Sequence, residues 1–181
     1  MQITSQQVLP VSQQQAWDAL NDTTLLQTAI PGCESITPDG QDEYALALTA
    51  AIGPVKARFK GRLKLADQQP PESYTLQFEG QGGAAGFGKG KAAVRLEPRG
   101  PRETVLHYDA DAQVGGRIAQ VGSRLVDMAA QKMAADFFDA FNAALRERYA
   151  GPPPNAGGAE PPGEAGAWAR LARWWRSLWA R

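Results

Sequence analysis

Residues 55–65, VKARFKGRLKL, place Val55, Ala57, Phe59, Gly61, Leu63 and Leu65 in unbroken alternation with Lys56, Arg58, Lys60, Arg62 and Lys64. A period of two with one face cationic is a β-strand that buries one side only. Such a strand needs strand neighbours for its backbone and a second layer for its dry face. Three later runs repeat the pattern: SYTLQFEG through Tyr74, Leu76 and Phe78; KAAVRLE through Ala92, Val94 and Leu96; and TVLHYDADA through Thr104, Leu106, Tyr108, Ala110 and Ala112. Turn signals at PDG, IGP, QQPPES and EPRGP separate the runs, which predicts an antiparallel meander.

After Gly115–Gly116 the period becomes helical. RIAQVGSRLVDMAAQKMAADFFDAFNAALRERY contains no proline, and Ile118, Val121, Leu125, Met128, Phe138, Phe141 and Leu145 read as one apolar face. As one helix it spans roughly 50 Å, enough to cover the sheet. Upstream, MQITSQQVLP reads as a first strand anchored by Ile3 and Val8. Ser12 is placed as the N-cap of a helix presenting Ala16, Trp17 and Leu20, and a second short helix covers about 23–29. The order of strand, two short helices, several strands and one long helix predicts an α+β fold in which a curved antiparallel sheet is gripped by its last helix.

Few residues offer chemistry. GAAGFGKG at 83–90 approaches a phosphate-binding loop, but Gly90 stands where a metal-binding hydroxyl is needed and a strand follows instead of a helix. It reads as a glycine-rich hairpin with Phe87 near its tip, mobile enough to gate whatever lies beneath. His107, the one histidine, falls on the wet face with Asp109, with no nucleophile in view. Cys33, the one cysteine, excludes an internal disulfide, suits a reducing compartment and reads as a small buried residue. No metal site and no catalytic set emerges. The cationic row at 56–64 lacks interleaved aromatics, so nucleic acid is not expected; Glu79, Glu97 and Asp109 are its expected partners. The dry face mixes bulky residues with Gly61, Gly80, Gly90, Ala92 and Ala110, and the long helix adds Ala119, Gly122, Ala129 and Ala130. Small residues on both sides leave two readings open: close approach of helix and sheet, or an apolar space between them.

The end of the chain has a different character. Residues 150–165, AGPPPNAGGAEPPGEA, carry no bulky apolar side chain and read as a flexible linker. In residues 166–181, Trp168, Leu171, Trp174, Trp175, Leu178 and Trp179 fall on one helical arc, with Arg170, Arg173, Arg176 and Arg181 opposite. Four of the 19 basic residues lie there, and two of the 19 acidic ones, Glu160 and Glu164, lie in the linker, so the body at 1–149 carries −2 and the tail +4. Such a helix is too short and too charged to span a bilayer. It suits the membrane interface, indoles down and guanidiniums at the headgroups; a protein partner or the domain itself are the alternatives. The N-terminus has neither a basic segment nor an apolar one typical of a secretory signal, so the expectation is a cytoplasmic body, peripheral on the inner face of the cytoplasmic membrane.

GPVKARFKGRLKLAD, EGQGGAAGFGKGKA and VGGRIAQVGSRLVDMAAQKMAADFFDAF, in that order, resemble the G-subunit family of carbon monoxide dehydrogenase over roughly residues 1–148. The family belongs to the START-like, helix-grip (SRPBCC) superfamily, and the resemblance implies an apolar ligand cavity under the long helix. Its candidate walls here are Phe59, Leu63, Leu76, Phe78, Phe87, Val94, Tyr108, Val121, Leu125 and Met128. Members accompany molybdenum-containing dehydrogenases without carrying their metal, flavin or iron–sulfur centres. The resemblance thus implies no covalently bound cofactor, a lipophilic ligand such as a quinone, and a role in bringing the dehydrogenase to the membrane. A pure anchor with a filled core is the alternative. Superfamily relatives include cyclases and dehydratases; their acid–base groups are not identifiable here, and His107 or Tyr108 would have to serve in a small cyclase or hydrolase.

Overall fold

The computed structural model describes residues 1–150; the linker beyond Ala150 and the tryptophan-rich segment lie outside them. The chain opens with β1 (Gln2–Leu9), α1 (Gln13–Leu20) and α2 (Thr23–Ala29). Ser12 caps α1 in a reciprocal box: its hydroxyl accepts from the Gln15 amide at 3.3 Å, and the Gln15 side chain accepts from the Ser12 amide at 3.1 Å. Asp22 caps α2 by accepting from the amides of Thr24 and Leu25. The meander follows as β2 (Cys33–Gly40), β3 (Glu43–Ile52), β4 (Val55–Gln69), β5 (Ser73–Gln81), β6 (Phe87–Gly100) and β7 (Glu103–Gly115). All neighbours pair antiparallel in the order β1-β7-β6-β5-β4-β3-β2, so the first strand lies beside the last.

The four strands marked by alternation are present and longer than their apolar runs, and β2 and β3 add to them. With β2 and β3 come the partners of the cationic row. Arg58 pairs with Glu34 at 2.7 Å, Arg62 with Asp39 at 3.5 Å and Lys64 with Glu43 at 2.9 Å. The expected partners Glu79, Glu97 and Asp109 do not form these bridges. Register fixes the faces: Leu63 is level with Phe78, Gly90 and Ala112 on the inner face, and Arg62 with Glu79, Lys89 and Gln113 on the outer. β1 corrects one anchor. Its buried residue is Leu9, fully enclosed, whereas Val8 points outward and is 55% exposed.

The expected single long helix is two. α3 (Arg117–Gln120) stops at Val121, and α4 (Ser123–Tyr149) starts after Gly122, whose φ of +100° no helix accommodates. α4 has 27 residues, about 40 Å at helical rise. The single stripe expected from the sequence also fails within α4 itself. At 100° per residue, Leu125 and Met128 lie roughly 160° and 140° from Phe141. The sheet-facing arc runs instead through Val126, Ala130, Ala134, Phe137, Phe138, Phe141 and Leu145. Burial agrees: Val126, Phe138, Phe141 and Leu145 are buried, while Leu125 and Met128 are 41% and 58% exposed. No described helix is long and apolar enough to cross a membrane.

The contiguous core sits at one end, where α1, α2 and the second half of α4 meet β1, β6 and β7. Leu9, Trp17, Leu20, Leu96, Leu106, Phe141 and Leu145 fill it. Trp17 meets Tyr74 edge-on at 5.6 Å, and burial pushes the Tyr74 phenol well above its ordinary range. Arg148, near the end of α4, pairs with the α2 cap Asp22 at 2.5 Å and ties the two helices together.

Candidate functional site

The packed core covers only part of the inner face. Phe137 stacks on Phe141 at 5.4 Å, Phe138 on Tyr108 at 5.5 Å, and Phe137 meets Phe138 at 5.0 Å, forming an aromatic wall at the core's edge. Beyond it, Leu46, Leu48, Phe59, Leu63, Phe78 and Val114 project from the inner face. Each is only half-buried and none joins the core. Opposite them α4 presents Ala130 and Ala134. Gly61, Gly80 and Gly88 sit level across β4, β5 and β6 and put no side chain into the space. An apolar surface that stays open to solvent beneath a covering helix is a place for an apolar ligand.

The ends of this region are built. The turn between β5 and β6 is a single 3₁₀ turn at Gly83–Ala85, with Ala85 buried. The Phe59 ring lies against Gly82, where an added Cβ would come within 2.4 Å of it. Gly86, at φ +114°, backs onto Gly115 and Gly116 so closely that a Cβ would fall 2.0 Å from the Gly115 carbonyl oxygen. Ala85 and Gly86 thus pack as an end wall in this structure.

The sequence-derived wall residues separate into four groups. Phe59, Leu63 and Phe78 line the open half of the inner face. Val94, Leu76 and Tyr108 belong to the core or pack against it. Val121 and Leu125 edge a cleft of about 330 Å³ shared with Pro54, Val55, Arg117 and Gln120. Met128 and Phe87 are elsewhere. Met128 points to solvent from α4. Phe87 is not at a loop tip: it is the first residue of β6, on the outer face with Lys89 and Lys91, its ring against Gly115. Sequence reasoning passed over Leu46 and Leu48, although Tyr44, Leu46, Leu48 and Ile52 carry a period of two.

The inner strand residues of the open half are uncharged. On the first half of α4, half-buried Asp127 lies on the sheet-facing arc. His107 does lie on the outer face. Its Nε2 is 2.9 Å from Glu97 Oε2, and Arg99 and Arg95 reach the same carboxylate. The His107 hydrogen bond, helped by both arginines, holds the Glu97 carboxyl below its ordinary range. Cys33 is half-buried rather than enclosed, and burial pushes its thiol up. Among the described residues no three His, Cys, Asp or Glu side chains gather to hold a metal. Two open clefts of about 570 and 590 Å³ lie on the polar outer face, one around Arg62, Glu79 and Lys89, the other around Gln6, Arg95 and His107.

Solved structures share this architecture. A conserved protein from Geobacillus kaustophilus superposes with a TM-score of 0.77 at 28% identity, over 81% of this chain and 96% of that one. A START superfamily protein from Mycobacterium smegmatis gives 0.63 at 14% identity, covering 81% and 98%. The Zhui aromatase/cyclase from Streptomyces sp. R1128 gives 0.58 at 13% identity, covering 83% and 98%. The last two are similar in fold alone. No curated protein matches the sequence. The model of the carbon monoxide dehydrogenase G-subunit (CoxG) family matches residues 6–146, and on that match, joined to a START-like fold, the chain belongs to this family.

Proposed function

We propose that this chain is a non-catalytic accessory protein of a molybdenum-containing, carbon monoxide dehydrogenase-like enzyme. It holds a lipophilic ligand, a quinone, between α4 and the open half of the sheet. Residues 166–181 tether it to the inner face of the cytoplasmic membrane, where it recruits the enzyme. The observation that carries the ligand reading is the incomplete core: bulky apolar side chains at Phe59, Leu63 and Phe78 remain half-buried beneath the helix. Burial of a large apolar side chain contributes about 1.5–3 kcal/mol. A lipophile in that space recovers burial that the protein leaves unused.

The test uses the full chain. Organic extraction of the purified protein followed by mass spectrometry should return a quinone or a comparable lipid. Quinone titration of the stripped protein should quench intrinsic fluorescence saturably. Neither result would leave a membrane anchor with no cargo. Flotation with anionic vesicles separately tests the tether: a protein that stays in the soluble fraction at low salt has no lipid-binding tail.

A further inference from the structure

The exposed apolar residues of α4 lie beside one end of the open half. Leu125 and Met128 are neighbours on the outward arc, 41% and 58% exposed, three residues apart and one helical turn along. Leu125 also edges the cleft of about 330 Å³ formed with Pro54 and Val55 of the β3–β4 turn and with Arg117, Gln120 and Val121. A Cβ built on Gly53 at that turn lies 3.5 Å from the Leu125 side chain, so helix and turn form one surface. Both guanidiniums at this surface are free: neither Arg117 nor Arg124 forms an ion pair among the described residues, whereas Lys132 further along pairs with Asp136 at 2.6 Å. Asp127, the carboxylate closest in sequence, turns toward the sheet. The result is two bulky apolar side chains flanked by two cations unpaired among the described residues, at the β3–β4 turn that ends the open half.

We propose that this surface is a second lipid contact, through which the folded body itself docks on an anionic bilayer, with Leu125 and Met128 entering the interface and Arg117 and Arg124 at the headgroups. Charge selects this occupant over a second copy of the chain, because a two-fold pairing of the patch would set unpaired arginines against one another. Apolar side chains supply burial and cations supply attraction to anionic headgroups, the combination that holds amphipathic surfaces at the interface. The inference deepens the carrier reading and rests on it: docking here places that end of the open half against the bilayer, so a lipophile enters without crossing water.

The experiment places an environment-sensitive nitrobenzoxadiazole label at Met128→Cys in the full chain, in a Cys33→Ala background, and adds vesicles of phosphatidylcholine with about 30% phosphatidylglycerol, chosen to give roughly physiological anionic charge. The control label sits at Gln14→Cys, on α1 at the core end. The proposal expects a blue shift and quenching by spin-labelled lipid at 128 and neither at 14. Leu125→Glu, probed through the label at 128, should remove the shift and lower vesicle affinity about tenfold. Arg117→Gln with Arg124→Gln should weaken binding to anionic but not to neutral vesicles. A protein that floats with vesicles while the label at 128 stays in water overturns this inference and leaves the tail tether standing. A protein that does not float overturns both. A label that shifts with protein concentration in the absence of lipid replaces the bilayer by a second copy.

Discussion

Leucine-to-alanine substitutions at the two ends of the inner face should differ sharply in cost. Leu145 is fully enclosed, while Leu63 is half-buried and outside the core. Leu→Ala removes about three methylene equivalents, worth about 2.4 kcal/mol when wholly buried. At Leu145 the cavity left behind adds to this, for a total of about 3–5 kcal/mol. At Leu63 one flank is already open. Roughly half the transfer term is lost and no new cavity forms, for about 1 kcal/mol. With a urea slope of about 2 kcal/mol per molar, the two midpoints should lie about 1–2 M apart in ligand-free protein. Ligand should narrow the gap. Quinone at about a hundredfold excess over its dissociation constant stabilises the native chain by about 2.7 kcal/mol. Leu63→Ala should lose much of that increment and Leu145→Ala should keep it. Equal midpoints for the two variants, with no increment on adding quinone, would mean that the sheet is packed from end to end and that the open half is not a ligand site.

Three further outcomes are open to measurement. Asp22 caps α2 and pairs with Arg148, whose hydrogen bond is the main reason its carboxyl lies below the ordinary range. A depressed native pKa contributes stability that is complete above the unfolded value of about 4 and is lost as pH falls through the native value, so the stability profile of Asp22→Asn should flatten on the acid side. At neutral pH Asp22→Ala should cost about 1 kcal/mol in equilibrium unfolding from the lost cap. Gly86→Ala, which sets a Cβ 2.0 Å from the Gly115 carbonyl oxygen at a φ of +114°, should cost at least about 1–3 kcal/mol and speed amide exchange at Ala85; an unchanged unfolding midpoint would refute the packed end wall. Trp174→Ala with Trp175→Ala should weaken flotation with neutral and anionic vesicles alike, whereas changing Arg170, Arg173 and Arg176 to Gln should weaken only the anionic case and flatten its salt dependence.

The parts of the fold that were legible in the sequence are those where one face is charged. β4 announces itself because lysine and arginine occupy every outward position from Lys56 to Lys64. β3 conceals the same period because its outward positions include Ala45, Ala47 and Ala51, which read as apolar beside Tyr44, Leu46 and Leu48. Passing over β2 and β3 carried a second loss, since the carboxylates that neutralise the cationic row sit on those strands. Phe87 was misplaced for the opposite reason. Its odd position matches Lys89 and Lys91, which alternation alone assigns to the outer face, but the glycines around it suggested a loop.

The facing of Leu125 and Met128 is set within α4 itself. At 100° per residue the spacing from Ile118 through Leu145 does not hold one stripe: on the unbroken α4, Leu125 and Met128 fall roughly 160° and 140° from Phe141. Gly122, with open space around it and a left-handed backbone, ends α3 and lets α4 begin at a new angle. With Phe138, Phe141 and Leu145 packed in the core, the phase of α4 sets Leu125 and Met128 outward and Val126, Ala130 and Ala134 over the sheet. Two consequences follow from that phase. The inward arc of the first half of α4 becomes mostly small, so the helix spans the open half of the sheet without filling it. Two large residues, Leu125 and Met128, are set outward beside arginines that form no ion pair among the described residues.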